Sequence, residues 1–125
     1  MAFAGAPVGI DLSGSEIRLD GCVVVLTGET DEVALDTGLP ATCDFVFNSD
    51  ESLRLFEDGN RKILLVYSTR KEADERCDTR LRAVVVDEGT LSMSERIMAI
   101  SSCSVTDMDE KMYRVLAHRT LPAKM

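Results

Sequence analysis

The side chains of this 125-residue sequence that could do chemistry are four cysteines, one histidine and several carboxylate clusters. Cys22, Cys43, Cys77 and Cys103 form no C-x-x-C pair, and His118 is the only imidazole. They lack the closely spaced ligands that structural zinc requires. Two disulfides are arithmetically open to them, but without a secretory signal the expectation is free thiols in a reducing compartment. His118 would need a nucleophile and an orienting group to act as a general base. Ser and Thr are plentiful, yet no G-x-S-x-G marks a nucleophile, so His118 reads as a surface residue near the C-terminus. Asp107-x-Asp109-Glu110 begins like a calcium loop, but Met112 and His118 stand where an EF-hand has its sixth-position Gly and twelfth-position Glu. No G-x-x-x-x-G-K-[ST] phosphate loop occurs. No catalytic residue, metal site or cofactor is therefore expected.

The remaining acidic pairs are Asp31-Glu32, Asp50-Glu51 and Glu57-Asp58, and charge is their available chemistry. Residues 1–60 carry twelve Asp/Glu against two Arg, a net charge of −10, whereas residues 61–125 carry ten against twelve Lys/Arg, a net of +2. Such a chain suits an acidic side that meets a basic partner protein or an identical copy of itself. Asp31, Glu32, Asp50, Glu51, Glu57 and Asp58 are the candidate partner-binding residues. The acidic balance, with a sequence pI of 4.6, argues against nucleic acid, which calls for clustered Lys/Arg. The basic residues from Arg70 to Arg82 are instead interleaved with Glu72, Asp74, Glu75 and Asp78.

Elements that could position these residues follow a period of two. Glu16-Ile17-Arg18-Leu19-Asp20 alternates strictly, and Cys22–Leu26 reads as a strand buried on both faces. Asp44–Asn48 is another short strand. Leu53–Phe56, Glu57-Asp58-Gly59-Asn60 and Lys62–Ser68 spell a β-hairpin, with Asp-Gly as the tight-turn dipeptide. Thr69–Thr79 reads as a long loop or short helix, Arg80–Val86 as a strand stopped at Asp87-Glu88-Gly89, and Ile97–Val105 as a strand; Leu91–Glu95 is undecided. Thr106, Asp109 and Glu110 could open a helix with Met108, Met112, Val115 and Leu116 at helical spacing. Equally, Met112–His118 could be a closing strand beside Ile97–Val105, and the strand is preferred. Met93, Met98, Met108 and Met112 read as core filling in a Trp-free chain.

The length is that of one domain, and 45% hydrophobic residues place it among globular chains. The expected fold is all-β, with room for one short helix: an antiparallel sandwich or a closed or partly open barrel of seven to eight short strands. Apolar runs reach about five residues, far short of the roughly 20 of a membrane helix. Met1–Ile10 lacks a basic n-region and reads as an N-terminal arm or first strand, which gives a cytoplasmic location and no membrane partner.

Ile100–Val105, followed by Asp107, Lys111, Met112-Tyr113 and Leu116-Ala117, resembles the paired central strands of phosphotyrosine-binding domains. The resemblance covers about twenty residues and implies a PH-like barrel that binds peptides by strand addition. That family's C-terminal helix has no counterpart in Arg119–Met125, and no binding residues carry over. The functional expectation is a non-enzymatic interaction or assembly module with an acidic recognition surface and a capacity for homo-oligomers. The competing readings are an acidic inhibitor that blocks a basic site, the peptide-binding barrel, and a small enzyme using His118 or a cysteine.

Overall fold

Alternating apolar and polar residues, joined by turns that accept positive φ, build most of this chain. A computed structural model describes residues 9–12, 14–106 and 108–122. In chain order they form β1 (Ile10–Asp11), β2 (Glu16–Asp20), β3 (Val23–Thr27), β4 (Glu32–Asp36), β5 (Cys43–Phe45), β6 (Leu55–Asp58), β7 (Arg61–Lys71), β8 (Cys77–Asp87), β9 (Thr90–Ser94), β10 (Met98–Ile100), α1 (Glu110–Leu116) and β11 (Thr120–Pro122). One antiparallel sheet has the order β1-β2-β3-β4; the other follows β11-β9-β8-β7-β5, with β10 also on β8 and β6 also on β7. The pair is a small β-sandwich, and no barrel closes.

β7 and β8 pair over their whole length, from Arg61 opposite Asp87 to Lys71 opposite Cys77. Their centres are apolar at nearly every position, so both faces of this sheet must be covered. Leu64, Val66, Val84 and Val86 pack with Ile17, Val24, Leu26 and Leu35 of the four-stranded sheet. Ile63, Leu65, Ala83 and Val85 pack beneath Val105, Tyr113, Leu116 and Ala117. The molecule thus has three layers: the four-stranded sheet, the seven-stranded sheet, and α1 with the segment leading into it.

The expected hairpin at Leu53–Ser68 forms, shifted by one residue: Asp58 pairs with Arg61, so the turn is Gly59-Asn60, with Gly59 at φ +64°. Glycine at the first central position is what a type II′ turn favours. Thr69–Thr79 is neither long loop nor helix, because β7 runs to Lys71 and β8 restarts at Cys77. Leu91–Glu95 falls mostly in β9. β4 was hidden by its charged ends, and with β9 and the short edge pieces β1 and β11 it raises the strand count among the described residues to eleven. Ile97–Val105 is strand only over β10. The N-terminal arm lies outside the described residues up to residue 8.

The closing strand at 107–119 is overturned by α1. Asp109 caps it, its carboxylate accepting from the Met112 amide at 3.0 Å. A strand would have put Tyr113 and Leu116 on opposite faces. The helix turns Tyr113, Leu116 and Ala117 together onto the seven-stranded sheet and leaves Val115 outside. Tyr113 meets Phe56 edge-on at 4.7 Å, and Arg61 donates to the Ala117 carbonyl at 2.8 Å. The likeness to paired phosphotyrosine-binding strands fails on the same ground: its second strand is a helix and the fold is not a barrel.

The expected free thiols are also overturned. Cys22 is bonded to Cys43 and Cys77 to Cys103. The first bridge joins the β2–β3 turn to β5, and so one sheet to the other. The chain crosses between sheets just before it, where the Thr37 amide (3.1 Å) and hydroxyl (2.7 Å) both donate to the Cys22 carbonyl. Arg82 secures the same corner from within. Its guanidinium, 8% exposed, donates to the carbonyls of Thr37 and Ser94 at 2.7 Å and of Glu95 at 3.3 Å. Burial lowers its pKa. The second bridge pins the start of β8 to the loop after β10, where the Cys77 amide donates to the Ser101 carbonyl.

Candidate functional site

The outward residues of β2, β3 and β4 form a grid fixed by register. Glu16, Thr27 and Glu32 share one row, Arg18, Val25 and Ala34 the next, and Asp20, Val23 and Asp36 the last. Strand spacing and rise make this a patch of about 10 by 13 Å, with a carboxylate at each corner. Asp11 lies directly opposite Glu16 on β1, a like-charge pair that disfavours folding locally. Arg18 is the one cation of the face. It crosses diagonally to donate to the Thr27 hydroxyl at 3.1 Å and to pair with Glu32 at 3.6 Å. Val25, its partner in register on β3, is 5% exposed although it faces outward. With Glu29 and Asp31 in the β3–β4 turn, residues 9–36 carry seven carboxylates and one arginine.

The six candidate carboxylates do not gather on one face. Glu32 belongs to the grid and Asp31 to the turn at its end, where the Asp31 carboxylate accepts from the Thr30 hydroxyl. Glu57 reaches the same end of the sandwich, lining a cleft with Gly28, Lys62 and Glu88. Asp58 turns to the helical layer, paired with Arg114 at 3.3 Å and Arg61 at 3.8 Å. Asp50 and Glu51 form the tip of the Asn48–Ser52 loop. There the Asp50 carboxylate accepts from the Ser52 amide and hydroxyl, which lowers its pKa. It serves to build that turn.

Asp11, Glu16, Asp20, Glu29 and Asp36 were missed as site residues. A signal for four corners was present: Glu16-Ile17-Arg18-Leu19-Asp20 and Glu32-Val33-Ala34-Leu35-Asp36 share acidic ends around alternating apolar residues. Only pairing both with β3 shows that these ends align.

A second surface lies on the opposite layer. α1 and the β9–β10 and α1–β11 connections enclose a groove of about 730 Å³. Arg96, Lys111, Arg114 and Arg119 rim it over Val115 and Leu116. Its one carboxylate, Glu110, is paired with Arg114 at 3.5 Å. The Glu95 amide donates to the Arg119 carbonyl at 2.9 Å, which ties the β9–β10 connection that carries Arg96 to the α1–β11 connection that carries Arg119. Exposed Ile97 and Leu121 follow in sequence, and Val115 is 54% exposed. His118 also lines this groove, and the lining includes no Ser, Thr or Cys. Among the described residues no group of three or more His, Cys, Asp and Glu could hold a metal ion, and no helix is long and apolar enough to cross a membrane. The chain matches no family model, no curated protein and no solved structure.

Proposed function

We propose that this chain is a non-enzymatic protein-interaction module whose acidic sheet face receives a basic partner. The observation that carries the reading is the four-cornered carboxylate face of β2, β3 and β4, with its single arginine already paired to Glu32. An antiparallel face with carboxylates at fixed register positions steers and orients a basic surface, and the Asp11–Glu16 opposition is relieved when a cation arrives. Against the enzyme alternative weigh the engagement of all four cysteines in disulfides and, among the described residues, a groove lining around His118 without Ser, Thr or Cys. The disulfides also favour an oxidising compartment over the cytoplasm.

A lysine- and arginine-rich peptide titrated calorimetrically tests the reading. Binding is expected to weaken about tenfold as salt is raised through the physiological range. Joint replacement Glu16→Gln, Asp20→Asn, Glu32→Gln and Asp36→Asn is expected to weaken it at least as much, with circular dichroism showing that the variant folds. Peptide affinity indifferent to both salt and the fourfold replacement would sink the proposal.

A further inference from the structure

We infer that the cation-rimmed groove along α1 receives the acidic β3–β4 turn of a second copy of this chain, linking copies head to tail. This deepens the acidic-surface reading and rests on it. The groove is lined by apolar Val115 and Leu116 and by four cations, of which Arg96, Lys111 and Arg119 have no ion pair among the described residues. The β3–β4 turn is negative. Glu29, Thr30, Asp31 and Glu32 are all exposed, and three of the four are acidic. A groove of about 730 Å³ is the size that accepts a small ligand, and so a turn of a few residues.

The two surfaces belong to opposite layers of one molecule, because the seven-stranded sheet lies between the four-stranded sheet and α1. The fixed positions of the two surfaces in one copy leave its groove open to the turn of a second copy. The contact joins unlike surfaces, so it is heterologous and leaves a free groove and a free turn at the two ends of every pair. Val115, with Ile97 and Leu121 beside the groove, supplies apolar area within a charged rim, the usual anatomy of a protein contact.

Each copy carries a net charge of −8, which opposes approach at long range, so salt dependence alone does not report on this contact. Charge exchange does. Sedimentation velocity over a concentration series is expected to show reversible association of the wild-type chain. Lys111→Glu with Arg119→Glu is expected to weaken self-association at least tenfold, and so is Glu29→Lys with Asp31→Lys. An equimolar mixture of the two variants is expected to associate again, since each basic surface then meets an acidic one. Circular dichroism melting checks that both variants fold. The groove variant keeps the acidic face intact, so its binding of the basic peptide is expected to persist, which separates failure of this contact from failure of the acidic-face reading. A wild-type chain that stays monomeric, variants that associate as the wild type does, or a mixture that stays monomeric would overturn the inference.

Discussion

Tyr113 is the largest fully buried side chain, and its hydroxyl has no hydrogen-bond partner among the described residues. The ring earns its place by packing edge-on against Phe56, while the hydroxyl adds a desolvation cost of about 1–3 kcal/mol. Burial pushes its pKa up to about 12, against a small opposing influence of Arg54. The folded state therefore holds a proton that the unfolded state releases near pH 10, and stability falls as pH rises from about 10 to about 12. Tyr113→Phe is expected to stabilise the fold by about 1 kcal/mol at neutral pH, and by more in that alkaline window. Denaturant unfolding of both proteins at neutral and alkaline pH measures this, and equal pH dependence in the two would refute it. Arg82 is the contrasting case. It is nearly as buried, but three carbonyls hold its guanidinium, so charge and hydrogen bonding together clamp the inter-sheet corner.

At the scale of elements, α1 decides the most. It is seven residues long, too short to persist alone, and exists because Tyr113, Leu116 and Ala117 cover the second face of β7 and β8. Asp109→Ala removes the cap and is expected to cost about 1 kcal/mol, read as a lowered denaturant midpoint, with the groove's ligand binding weakened because Lys111 and Arg114 ride on the same helix. An unchanged midpoint would mean that packing alone sets the helix. The cap was visible in the sequence as Asp109 ahead of an apolar series at helical spacing. What was not visible was the apolar surface waiting under it, and without that surface a strand accounts for Met112–His118 equally well. The alternation of β2, the buried run of β3 and the Gly59 hairpin were legible because they are local. β4 was not, because its charged ends Glu32 and Asp36 look like loop residues until paired with β3.

For the whole molecule, the disulfides hold the layers in place. Cys22–Cys43 crosses between the sheets with a sequence separation of 21, and Cys77–Cys103 anchors the outer segment with a separation of 26. Loops of that size restrict the unfolded chain by about 3 kcal/mol each. Replacing Cys22 and Cys43 by Ser is expected to lower stability by about that amount, and reduction of the wild type to lower its melting temperature markedly; a chain as stable reduced as oxidised would contradict this. The same layering gives the uneven charge its meaning. Sequence by itself determined the alternating β class, the acidic balance and its concentration in the first half, since each is a matter of residue type and local spacing. Tertiary structure decided that the carboxylates of two separate strands align at the corners of one face. It also decided that Asp50 and Asp58 serve local turns and pairs, that cysteines 21 and 26 residues apart are neighbours, and that α1 carries a basic groove on the layer opposite the acidic face. Those facts depend on which strands pair and which layer covers which, and that follows from burying both faces of β7 and β8 at once.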